Sequence, residues 1–133
     1  MEDQIKSVLE AVAHAAVAYD KSGKKVRFIV VIIDIQGNIA YANDRFLEIA
    51  GCVWEETIGK NWYSDFMTAE SLWGMAQAYV KSSNHNSDSA LFEGELLTKQ
   101  GQRRAVSFLS MYFRDLDGQI TWIANIGEDS SGK

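Results

Sequence analysis

A chain of 133 residues with a formal net charge of −5 fits one domain, long enough to bury a core without staples. Hydrophobic residues at 47% against 23% charged exclude a disordered chain, and a lone cysteine excludes a disulfide framework or a multi-cysteine metal site. The acidic balance argues against sequence-independent binding to nucleic acid or an anionic membrane.

Residues 3–20 read as a helix, because Ile5, Val8, Leu9, Val12, Ala15, Ala16 and Tyr19 recur at three- and four-residue steps. Two readings of it stand: a helix packed on its own domain, or an Ala-rich helix that also pairs subunits. Phe28–Ile33 is almost wholly β-branched and reads as a buried strand, far shorter than the ~20 residues of a membrane span. Asp34-Ile35-Gln36-Gly37-Asn38 is a turn, and Ile39–Ala42 returns as a second strand. Asn43-Asp44 caps a short helix stopped by Gly51, and Trp54–Ile58 forms another that ends at Gly59. Asn61–Phe66 is irregular or a single turn. Thr68 caps a longer helix with Leu72, Met75, Ala76, Tyr79 and Val80 on one face. After a polar loop at 82–89, three strands follow, at Leu91–Thr98, Arg104–Phe113 and Ile120–Ile126. Gly101 and Gly118 mark the two hairpin turns between them. This order implies an α+β fold, a five-stranded antiparallel sheet with short helices on one face.

The order and its residues resemble a PAS domain. Asp34-x-x-Gly37-x-Ile39-x-Tyr41-x-Asn43 looks like that family's first hairpin running into its first helix. Phe46, Gly51 and Glu55-Glu56-x-Ile58-Gly59-Lys60-Asn61-Trp62 are similar to its central helical stretch. Leu97-Thr98-Lys99-Gln100-Gly101-Gln102 and Phe113-Arg114-Asp115-x-Asp117-Gly118-x-Ile120 resemble its later hairpins. Ile126-Gly127-Glu128-Asp129-Ser130-Ser131 resembles its terminal junction, with Ser130 where the family has an aliphatic residue. The resemblance spans residues 28–131. It implies a sensor module of signalling proteins such as histidine kinases, two-component systems and cyclic-dinucleotide enzymes. Such a module binds a ligand or cofactor and modulates a dimeric output. The implied organisation is an N-terminal helix at 1–22 for packing and dimerisation, a core at 23–129, and a tail at 130–133 leading to an output domain.

The resemblance also limits the chemistry. Covalent flavin photosensors of the family carry a cysteine directly after a Gly-Arg-Asn run. The matching stretch here is Gly59-Lys60-Asn61-Trp62, so the thiol adduct is disfavoured. Haem is disfavoured too, since Thr68–Ser83 holds no histidine and no metal spacing joins His14, Cys52 and His85. The cofactor stays unassigned, with non-covalent flavin or a small organic ligand open.

By the same resemblance, Val31 and Ile33, Phe92, Gly94 and Leu96, Val106, Phe108 and Ser110, and Ile123, Asn125 and Gly127 face inward. They oppose Phe46, Trp62, Phe66, Met75 and Tyr79. The expected ligand pocket is Ile33, Phe46, Trp62, Met75, Tyr79, Phe92, Leu96, Phe108, Ser110 and Asn125, an apolar chamber whose polar handles are Ser110, Asn125 and the Tyr79 hydroxyl. The competing reading is a filled core, in which Ser110 and Asn125 satisfy each other and the domain is a ligand-free dimerisation or scaffold module.

The other sheet face alternates Leu109, Met111, Phe113, Trp122, Ala124 and Ile126, too apolar to be left in water. The N-terminal helix is its expected cover, from the same chain or from a partner. A homodimer would then form through Ile5, Leu9, Val12, Met111, Phe113 and Trp122. No nucleophile–base set, phosphate loop or metal motif is present, so no catalysis is expected. With no basic leader or membrane span, the expected address is cytoplasmic, without membrane contact by this domain.

Overall fold

The computed structural model describes the backbone of residues 17–19, 25–84 and 88–129, and side chains within 28–77, at 80 and within 88–129. Two short strands, β1 (Val17–Tyr19) and β2 (Lys25–Arg27), pair antiparallel with Val17 opposite Arg27. This corrects the C-terminal end of the helix expected over residues 3–20. Val17 and Tyr19 are strand-favouring residue types, and the ladder to β2 supplies the backbone partners that a last helical turn would lack. The rest of that helix, with Ile5, Leu9 and Val12, lies outside the described residues.

The main sheet has five antiparallel strands in the order β4-β3-β7-β6-β5. They are β3 (Ile29–Asp34), β4 (Ile39–Ala42), β5 (Ser89–Leu97), β6 (Arg103–Arg114) and β7 (Ile120–Asp129). Between β4 and β5 run four helices: α1 (Asp44–Ala50), α2 (Trp54–Thr57), α3 (Trp62–Phe66) and α4 (Ala69–Asn84). The stretch expected to be irregular or a single turn is thus the short helix α3. Its start is held by the Asn61 side chain, which accepts the amides of Tyr63 and Ser64 at 3.0 and 3.1 Å.

β3 lies between β4 and β7 and is buried on both faces, which is why its sequence is continuously aliphatic instead of alternating. Ile29, Val31 and Ile33 point to the helices, where they join Phe46, Trp62, Phe66, Leu96 and Phe108 in one core. Val30 and Ile32 point the other way and cluster with Ala124 and Ile126. Two Asp-led turns repeat one device. Asp34 Oδ1 accepts the amides of Gln36 and Asn38, and Asp115 Oδ1 accepts those of Asp117 and Gln119, all at 2.9 to 3.0 Å. Gly37 completes the first turn at φ 93°, and any side chain there would strike the Tyr63 ring.

Candidate functional site

The helices close over one face of the sheet, and three junctions hold them there. At the first, Asn43 Oδ1 accepts the Phe46 amide, capping α1, and the Val30 amide of β3, while its Nδ2 donates to the Phe28 carbonyl. At the second, the Ser71 hydroxyl of α4 accepts the Glu95 amide of β5 at 2.7 Å and a hydrogen bond from Thr68 at 2.9 Å. At the third, the Lys99 amide donates to the Ala50 carbonyl at the end of α1, and Lys99 Nζ binds both Glu56 carboxylate oxygens.

Within this frame the aromatic side chains form a connected cage. The Phe46 ring lies 5.2 Å from Phe66 and 5.8 Å from Trp62, and Trp62 meets Phe108 edge-on at 5.7 Å. Phe108 in turn stacks on Phe92 at 6.2 Å with 19° between the planes. Edge-on and offset contacts of this kind are the favoured arrangements of aromatic quadrupoles. Ile33, Phe46, Trp62, Met75, Leu96, Phe108, Ser110 and Asn125 are all buried together, and Phe92 is half-buried against them. The Tyr79 side chain lies outside those described.

Of the two readings of the buried polar atoms, the hydrogen bonds match the one in which Ser110 and Asn125 satisfy each other. The Ser110 hydroxyl donates to Asn125 Oδ1 at 2.7 Å, and Asn125 Nδ2 donates to the Val31 carbonyl at 3.4 Å. The two side chains named as ligand handles therefore partner each other. Within the aromatic cage the donor left over is Trp62 Nε1, which finds no acceptor among the described residues, on a residue 0% exposed. Trp62 was legible as a wall of the chamber, but nothing in the sequence marks whether an indole N–H is satisfied.

The apolar stripe of α4 keeps Leu72, Met75, Ala76 and Val80 on one side. Leu72, Ala76 and Val80 are not buried against the sheet. They are solvent-exposed and, with Ile35, Tyr63 and Met75, line an open apolar groove of about 310 Å³ beside α4. Among the described side chains, α4 buries Ser71 and Met75, in line with the Ser71 bond to β5 that fixes the helix's rotation.

On the far face, Met111, Phe113 and Trp122 pack half-buried around Val30, Ile32, Ala124 and Ile126. The basic pair Arg103-Arg104 of β6 is tied to acids of the two neighbouring strands. Arg104 is ion-paired with Asp129, and Arg103 lies 3.6 Å from Glu95. Cys52 is a free thiol whose pKa is raised, chiefly by burial and next by the Glu56 charge, which keeps it a protonated small side chain. Among the described residues no group of three His, Cys, Asp or Glu could hold a metal, and no helix is long and apolar enough to cross a membrane.

The family model described as PAS fold matches residues 4–129. No curated protein sequence matches the chain. Among solved structures, the chain is similar to the PAS domain of a Colwellia psychrerythraea protein, at 17% identity and TM-score 0.72, over 95% of this chain and 99% of that one. The Cronobacter turicensis RpfR quorum-sensing receptor PAS domain, in complex with BDSF, aligns at 24% identity and TM-score 0.61, over 77% of this chain and 93% of that one. Drosophila melanogaster Cycle PAS-B with bound ethylene glycol aligns at 11% identity and TM-score 0.67, over 76% and 98%. At these identities the likeness concerns the fold.

Proposed function

This chain belongs to the PAS family, and from that premise we propose that it is the sensory input module of a signalling protein, taking a small organic ligand non-covalently between its helices and sheet. The observation that carries the reading is the buried indole donor of Trp62, unpaired inside an otherwise apolar aromatic cage. Buried polar groups are partnered as a rule, and a bound molecule supplies the missing acceptor. Two of the similar structures hold small molecules, BDSF in the RpfR domain and ethylene glycol in Cycle PAS-B.

Ligand occupancy then acts by differential binding. A molecule that fits better when α4 sits farther from β5 shifts the population toward that arrangement, and the shift passes along β7 to Asp129 and the segment beyond it. The output belongs to a kinase, a cyclic-dinucleotide enzyme or a similar partner domain, in a homodimer formed across the Met111, Phe113 and Trp122 face, in the cytoplasm. The module itself reports and does not catalyse.

Native mass spectrometry of the purified protein, with absorbance above 350 nm, tests the ligand. Added mass that leaves on denaturation supports the sensor. A bare polypeptide mass that stays bare after incubation with cell extract opposes it. The second reading, a ligand-free scaffold, is favoured by the Ser110–Asn125 pair, whose members satisfy each other as they would in a filled core.

A further inference from the structure

Three glycines thin the walls of the interior where its rings lie. A Cβ on Gly94 would stand 2.6 Å from Phe92 Cζ, and one on Gly74 of α4 would stand 3.0 Å from Phe92 Cε2. A Cβ on Gly127 would stand 2.7 Å from Phe108 Cε1. Phe92 thus occupies a slot between α4 and β5 that is one aromatic ring thick and exists only because both walls lack side chains. Phe108 behind it is fully buried, whereas Phe92 is half-exposed, so Phe92 is the ring at the mouth. Beyond Phe108, 5.7 Å away edge-on, lies Trp62 with its unpartnered donor.

The charge of an occupant follows from the same inventory. Every buried polar residue among those described is uncharged: Thr57, Thr68, Ser71, Thr98, Ser110 and Asn125. An anion here would be desolvated with no counter-charge, and a cation would find no buried carboxylate to pair with.

We propose that the interior site takes an uncharged, planar ligand that displaces Phe92 from the slot between Gly74 and Gly94, turns Phe108 aside and accepts a hydrogen bond from Trp62 Nε1. This rests on the ligand-binding reading above and adds the ligand's shape, charge and anchor.

Matched two-ring probes test each element. Quinoline carries a ring-nitrogen acceptor, naphthalene has the same shape without one, and 2-naphthoate adds a negative charge. Each is titrated by 15N-resolved NMR into the wild-type protein, Phe92→Ala and Trp62→Phe. Expected are tighter binding of both neutral probes to Phe92→Ala, a preference for quinoline of about fivefold, the size of one net hydrogen bond, and no saturable binding of 2-naphthoate. The Trp62 indole proton should move downfield with quinoline alone, a readout in the wild-type protein that holds even if Trp62→Phe fails to fold. In a folded Trp62→Phe the preference for quinoline should vanish while naphthalene still binds. Equal binding of quinoline and naphthalene, an unmoved indole proton, or saturable binding of 2-naphthoate overturns the proposed anchor and charge but leaves an interior site standing. Failure of every probe to bind either the wild-type protein or Phe92→Ala overturns the ligand-binding reading as well.

Discussion

The hydroxyl of Ser71 accepts the amide of Glu95 at 2.7 Å, and this bond crosses the seam between α4 and the edge strand β5. A ligand entering beside Phe92 must strain that seam. Ser71→Ala leaves the Glu95 amide and the Thr68 hydroxyl without their buried acceptor, which should cost about 1–3 kcal/mol. Hydrogen exchange at the Glu95 amide should accelerate more than at β3, since the loss is local to one seam. Uniform acceleration across the sheet would show that the seam has no independent opening.

Asn43 performs three tasks at the other end of the site: it caps α1 and joins β3 through both an acceptor and a donor. Asn43→Ala should destabilise the fold by about 2–3 kcal/mol, one cap plus two net hydrogen bonds. Asn43→Asp keeps an acceptor for the Phe46 and Val30 amides but sets a carboxylate against the Phe28 carbonyl. It should recover only part of the loss. Urea unfolding with an unchanged slope checks both values.

Much of this architecture was legible because short-range chemistry dictates it. Asp34 with Gly37, and Asp115 with Gly118, announce turns whose side-chain and backbone bonds are local, and the aliphatic run of β3 announces a strand covered on both faces. The α4 stripe was legible only as a stripe, because periodicity shows that Leu72, Ala76 and Val80 share a side without showing which side meets the sheet. The decisive residues there are Ser71, which needs the Glu95 amide, and Gly74, which makes room for Phe92. Val17–Tyr19 went to a strand because its partner, Lys25–Arg27, outweighs a helical spacing shared with the residues before it. The solitary state of Trp62 Nε1 depends on where every neighbouring acceptor ends up, which no local pattern encodes.

The outer face gives a third prediction. Met111, Phe113 and Trp122 remain half-buried around a fully covered centre of Ile32 and Ala124. If a second copy completes their burial, Trp122→Glu should shift the protein from dimer to monomer in sedimentation while the helix-side core stays intact. Thr121 sits beside it in the chain, so Thr121→Glu serves as a control for added charge. A dimer that survives Trp122→Glu would place the subunit contact elsewhere.

The Glu56–Lys99 clamp makes the last prediction, through pH. Lys99 Nζ lies 3.1 and 3.2 Å from the two Glu56 oxygens, and the Val53 amide donates to the same carboxylate. These bonds lower the Glu56 pKa, the Lys99 bond most and the Val53 bond next. A depressed carboxylate pKa contributes stability that is present above the unfolded value, near pH 4.3 for glutamate, and is lost as pH falls through the folded value. Lys99→Met should therefore raise the Glu56 titration midpoint and flatten this site's share of the acid-side loss of stability. Cys52 reports the same pair from outside it, because the Glu56 charge raises the thiol pKa while the Lys99 charge lowers it. Alkylation by iodoacetamide follows the thiolate, so its pH midpoint should move up in Lys99→Met and down in Glu56→Gln. Burial, the largest cause of the raised thiol pKa, persists in both variants. Shifts of the same sign in the two variants would mean that Cys52 senses a rearranged α2 instead of the two charges.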